Sequence, residues 1–76
     1  MIRELETVVL LHDVPEHDLK SGHVGAVVDR YNDGKAFEVE FVTAEGKTLA
    51  VLTLTESDVR RVRGSEILHV RELAPT

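Results

Sequence analysis

Hydrophobic positions along the chain fall into short alternating runs separated by polar, glycine-bearing gaps, a pattern that predicts strands. Residues 8–11, 24–31, 36–43 and 48–54 are rich in β-branched or aromatic side chains and are bounded by turn formers. The clearest run is Phe37-Glu38-Val39-Glu40-Phe41. Its strict alternation sends the three apolar residues to one face and both glutamates to the other. The gap Ala44-Glu45-Gly46-Lys47 reads as a hairpin with Glu45-Gly46 as a two-residue loop. That loop sets Phe41 opposite Ala50, Val39 opposite Leu52 and Phe37 opposite Leu54, all apolar and all on one face. A slip of one residue would bring in the other face, so the register is well specified.

The preceding turn, Asn32-Asp33-Gly34-Lys35, carries the Asp-Gly hairpin signal. An even loop there pairs Val28 with Val39 and Ala26 with Phe41. It also sets Asp29 opposite Glu38, a like-charge pair that costs about a few tenths of a kcal/mol. After residue 54, Thr55-Glu56-Ser57-Asp58 has a helix-start pattern, with Thr55 as cap and Asp58 three positions on. Only one turn fits before Val59-Arg60-Arg61-Val62 reads as extended again, so a 3₁₀ turn is expected there. Residues 67–73 alternate weakly and form a candidate last strand. Five to six short antiparallel strands, one 3₁₀ turn and a long polar loop after the first strand describe an all-β chain, a small SH3-like barrel filling residues 1–76 as one domain.

Composition narrows the function. There is no cysteine, which removes disulfides and thiolate zinc sites, and the net charge of −5 repels nucleic-acid phosphates and anionic lipid. Charged residues precede the short apolar run at residues 8–11, with no small-residue cleavage site after it, so no secretory leader is read and the cytoplasm is the expected address.

Candidate chemistry is sparse. The loop His12-Asp13-Val14-Pro15-Glu16-His17-Asp18, with His23 close behind, holds metal-capable side chains, yet its spacing matches no defined site. Polar residues in a surface loop are the ordinary reading, and no metal or cofactor is expected. Gly22 and Gly25 precede a strand rather than a helix, so they read as a turn and a bulge or barrel bend, not a phosphate cradle. Asp29, Glu38 and Glu40 gather on the outer face, but acid–base chemistry needs a pocket that separates their pKa values, and no catalytic residue is assigned. Arg60, Arg61, Arg63 and Arg71 form the one basic cluster and lack exposed aromatic rings beside them, a poor platform for nucleic acid. Val8, Leu10, Val27, Val42, Leu49 and Val51 fall on the nominal outer face. They belong either to a second layer of core or to an interface.

Residues 1–10 (MIRELETVVL), 19–28 (LKSGHVGAVV), 36–41 (AFEVEF), 57–60 (SDVR) and 66–71 (EILHVR) together resemble the small bacterial domain-of-unknown-function family 4926. Residues 20–28 alone are similar to the opening of SH3-like barrels in electron-transport accessory proteins, the nitrile hydratase β-subunit and the ribosomal KOW motif. The resemblance implies the barrel but brings no catalytic residues, and it implies company with other small proteins. The resulting expectation is a non-catalytic protein-binding module, an antitoxin-like or masking partner of a neighbouring gene product, or a self-associating domain. The alternatives are an accessory subunit of a larger enzyme and, behind it, an RNA-binding KOW-like domain. The expected contacts are Asp29, Glu38, Glu40, Val27 and Val42 on the barrel and His12, Glu16 and His17 in the loop.

Overall fold

The computed structural model describes Ile2, residues 5–31, residues 34–68 and Val70. The four clearest runs, at residues 8–11, 24–31, 36–43 and 48–54, each become a strand, within a residue or so of the expected bounds. The elements are β1 (Thr7–Leu10), a 3₁₀ turn (Pro15–His17), β2 (Val24–Tyr31), β3 (Ala36–Val42), β4 (Thr48–Thr55) and β5 (Val59–Arg61). They form one five-stranded antiparallel sheet in the order β4-β3-β2-β1-β5. The all-β class and the short antiparallel strands are therefore as expected.

Laid flat, five strands would hold the outer edges of β4 and β5 roughly 19 Å apart. Yet the chain passes from β4 to β5 through one tight turn, in which the Asp58 N–H donates to the Thr55 carbonyl at 2.9 Å. The sheet must therefore curl. Accordingly, Leu54 of β4 and Val59 of β5 share a single buried cluster with Val8, Leu10, Val27, Phe37, Val39 and Phe41. Leu19 and Ile2 close the open side of that cluster from outside the strands. Leu19 is delivered by the 11–23 segment, which is folded on itself through the Val14–Leu19 bridge.

The β3–β4 register is the expected one: Phe37 opposes Leu54, Val39 opposes Leu52 and Phe41 opposes Ala50. Its turn differs. The Thr43 N–H donates to the Lys47 carbonyl and the Gly46 N–H to the Thr43 carbonyl, making a three-residue loop with Gly46 at φ +86°. A bulge that leaves out Leu49 restores the register beyond it.

The β2–β3 register needs a larger correction. Asp29 does oppose Glu38, but the ladder slips between Val27 and Asp29, so that Val27 rather than Val28 opposes Val39, and Ala26 opposes Glu40 rather than Phe41. The bulge turns Val27 into the core, where it is fully buried, and leaves Val28 38% exposed. Gly25 explains why the slip is accommodated. A Cβ there would lie 2.7 Å from Val39 Cγ1 and 2.8 Å from Phe41 Cε1, so only glycine admits the Phe41 ring. Its role is close approach, not a bend.

The 3₁₀ turn sits at Pro15–His17, not at Thr55–Asp58. Pro15 pre-sets the backbone for it, and Asp18 ends it in the left-handed region with its N–H on the Pro15 carbonyl. Thr55–Asp58 forms a single hydrogen-bonded turn. Ile67 and Leu68 of the expected last strand are exposed and outside any strand, as is Val70. The remainder of that strand, His69 and residues 71–73, lies outside the described residues, as do Asn32 and Asp33 of the first hairpin turn.

Candidate functional site

Because directly opposed residues point the same way, the corrected register fixes the outer face. One row holds Asp29, Glu38 and Thr53; the next holds Thr7, Ala26, Glu40 and Val51. Val24 and Val42 extend the apolar end of that face. They enclose, with Thr7, Gly25, Ala26 and Glu40, a depression of about 170 Å³. That volume falls short of the ~300 Å³ of small-molecule sites and suits one inserted side chain. Val42 is 53% exposed and Val51 48%.

The acidic end is held by hydroxyls. Glu38 accepts from the Tyr31 hydroxyl at 3.2 Å and from Thr53 Oγ1 at 2.6 Å. Glu40 accepts from Thr48 Oγ1 at 2.7 Å, and Asp29 Oδ1 accepts the Arg30 backbone N–H at 2.8 Å. This arrangement accounts for the Asp29–Glu38 pairing: each carboxylate finds its own donors. Among the described residues no cation lies within ion-pair distance of any of the three. The uncompensated charge of Glu38 raises the Tyr31 hydroxyl above its ordinary pKa, with burial and the hydrogen bond adding to the effect.

Two members of the basic cluster, Arg60 and Arg61, are paired with glutamates, while Arg71 lies outside the described residues. The Arg60 guanidinium grips Glu66 with two hydrogen bonds, at 2.8 and 2.5 Å, and Arg61 Nε donates to Glu6 at 2.5 Å. Glu66 is held down to about 2 by the Arg60 bonds first and by the Arg63 N–H second.

The 12–18 loop has a structural task. His12 Nε2 sits 2.7 Å from Asp58 Oδ1 and Nδ1 3.1 Å from the Asp13 carbonyl, so the doubly protonated ring donates to both. Those bonds raise the His12 pKa, the Asp58 bond most. Asp58 is lowered, chiefly by His12 and next by the Thr55 N–H. Asp13 Oδ1 accepts the Ser21 N–H, and His23 Nδ1 accepts the Lys20 N–H. Among the described residues no three carboxylate or imidazole groups converge as metal ligands.

Of the expected contacts, Asp29, Glu38, Glu40 and Val42 come together on the outer face. Val27 does not: it lies in the core because of the bulge beside it. Val8 and Leu10 are likewise buried, so these three belong to the core, in the same cluster as Phe37, Val39 and Phe41 rather than in a second layer, while Val42, Leu49 and Val51 are exposed. His12, Glu16 and His17 are exposed in the loop, with His12 engaged by Asp58. Val24 and Ala26, which strand alternation had not placed on this face, were missed because the slip at Val28 is invisible to period-two counting.

The family model described as Domain of unknown function (DUF4926) matches residues 4–61. The chain belongs to that family. The match takes in all five strands of this DUF4926 domain and ends with β5. No curated protein and no solved structure matches it. Among the described residues, no helix is long and apolar enough to cross a membrane.

Proposed function

We propose that this DUF4926 domain is a non-catalytic protein-binding module of the bacterial cytoplasm that covers a basic surface on a partner protein, as a masking or antitoxin-like companion would. The observation that carries the reading is the outer face: Glu40 lines a side-chain-sized depression with exposed Val42, and Asp29 and Glu38 follow in the next row, with no intramolecular cation to neutralise them among the described residues. Such a face offers an apolar anchor point surrounded by negative potential, which steers a positively charged partner and fixes its orientation. The strand order, with β1 joining β5 to the β2–β3–β4 meander, supports placing the domain among SH3-like barrels. The commitment of Arg60 and Arg61 to glutamates counts against an RNA-binding role.

The test is capture of the tagged chain from its native cells alongside Glu38→Lys and Glu40→Lys variants, with circular dichroism to verify folding. The expected result is one equimolar partner whose association rate falls with salt and which folded variants no longer retain. Recovery of the bait alone, or equal recovery by folded charge-reversed variants, would overturn the reading.

A further inference from the structure

Among the described residues the sheet has two outer edges, and only one carries its own protection. β5 is three residues long and carries Arg60 and Arg61. Short length and charge are the ordinary means of keeping an edge from pairing with another chain. β4 is the opposite case: eight residues, Thr48-Leu49-Ala50-Val51-Leu52-Thr53-Leu54-Thr55, with no charge and no proline, and β3 as its one neighbour in the sheet among the described residues.

The phase of the open edge can be read from its end. The Thr55 N–H is turned away from β3 and donates to Asp58 Oδ2 at 2.8 Å. Backbone groups alternate along a strand, so those of Thr53 and Val51 are also turned outward.

We infer that β4 pairs antiparallel with β4 of a second copy, about a two-fold axis, to form a weak homodimer with a continuous ten-stranded sheet. Setting Val51 opposite Thr53 of the second copy, and the reverse, closes both outward-facing residue pairs with backbone hydrogen bonds. The axis then passes through Leu52. This residue packs only in part against its own core, and its counterpart completes the cover. The ends match in charge as well. Lys47 precedes β4 and Glu56 follows it; both are exposed, and neither is in an ion pair with any described residue. Antiparallel pairing brings the Lys47 end of each strand alongside the Glu56 end of the other, whereas parallel pairing would place like charges together. The inference rests on the partner-binding reading only for its self-association branch and uses the backbone edge of β4 rather than the carboxylates of the acidic face, although Val51 and Thr53 neighbour Glu40 and Glu38 on that face.

An interface of one strand pair falls below the ~1,200 Å² of stable complexes, so dissociation is expected within the micromolar-to-millimolar range. Sedimentation equilibrium across that range, paired with amide hydrogen exchange at each concentration, tests the proposal. The average mass should climb from one chain toward two, with protection of the Val51 and Thr53 amides rising in step. Val51→Lys puts like charges diagonally across the axis and should weaken dimerisation by about two- to fivefold. Thr53→Lys provides the same measurement should Val51→Lys fail to fold. A chain that stays monomeric throughout overturns the proposal. So does a dimer unaffected by both variants, or concentration-independent protection of those amides in a monomer, which would mean the chain covers its own edge. None of these outcomes depends on whether the Glu38→Lys and Glu40→Lys variants retain a partner, so the two proposals fail separately.

Discussion

β4 and β5 are the two margins of one sheet, and they are held by different forces. β4 lies along the whole of β3 and turns Ala50 and Leu54 into the core, with no charged side chain of its own. β5 meets β1 at three positions and buries one residue, Val59. Its attachment is completed by polar links: Arg61 to Glu6, the Leu11 N–H to the Asp58 carbonyl, and His12 to the Asp58 carboxylate. A strand too short to be fixed by burial is fixed by charge and hydrogen bonding. The β5 margin should accordingly respond to pH and salt, and the β4 margin should not.

The largest effect expected from this comparison is at Leu54. Truncating it to alanine removes buried methyl groups from a cluster that also holds Phe37 and Val59, at a cost of about 2–5 kcal/mol. Urea unfolding should show that loss equally at low and high salt. A loss below about 1 kcal/mol, or one that shrinks with salt, would mean that burial does not hold β4.

The same contrast decides what could be read from the chain before its structure. Phe37, Val39 and Phe41 alternate cleanly because β3 is a central strand with one core face, and matching them to Ala50, Leu52 and Leu54 across a short loop gave the β3–β4 register, even though the loop has three residues and a bulge offsets the third. In β2 the run Val24-Gly25-Ala26-Val27-Val28 is apolar throughout and contains a bulge. Either phase of the count is then plausible, and what selects one is the fit of the Phe41 ring over Gly25, a tertiary contact. The carboxylates of the candidate site were legible, since Glu38 and Glu40 alternate with core residues and Asp29 follows from the hairpin turn. The apolar half, Val24 and Ala26, was not, because it depends on the slip. The links that fasten β5 were least legible of all. His12 and Asp58 are 46 residues apart, and Arg61 and Glu6 are 55 apart, with no local pattern joining either pair.

A second, smaller effect separates the two tasks of Asp58. Its carboxylate accepts from the Thr55 N–H and hydroxyl and also holds His12. Asp58→Ala removes all three contacts, and loss of such a cap costs about 1 kcal/mol. Asp58→Asn keeps an acceptor for Thr55 but loses the charge. The pH dependence has a definite sign. The His12 pKa is raised from 6.5 by folding, so its contribution is complete below 6.5 and is lost as pH rises through the raised value. The Asp58 pKa is lowered from 3.8, so its contribution is present above 3.8 and is lost as pH falls through the lowered value. The pair is therefore at full strength between 3.8 and 6.5. Stability should decline as pH rises above 6.5 through the raised His12 value in the native chain, and that decline should be absent in His12→Gln and in Asp58→Asn. An unchanged decline in both variants would assign the pH dependence to another group and remove the pH-sensitive half of the comparison.

The smallest effect is the sharpest test of what salt does at the β5 margin. Arg61 and Glu6 meet through a single 2.5 Å contact, with the Arg61 side chain 57% exposed. Exposed ion pairs of this kind contribute about 0.2–1 kcal/mol, because water screens the attraction and ordering two long side chains opposes it. Arg61→Ala should therefore lower stability by no more than that at low ionic strength. At about 1 M salt, where the Debye length is near 3 Å, native and variant should become indistinguishable. Arg61→Lys discriminates further. It keeps the charge but loses the guanidinium Nε–H that makes the contact, so a full loss in the lysine variant would show that hydrogen-bond geometry, rather than charge, fastens β5 to the chain preceding β1.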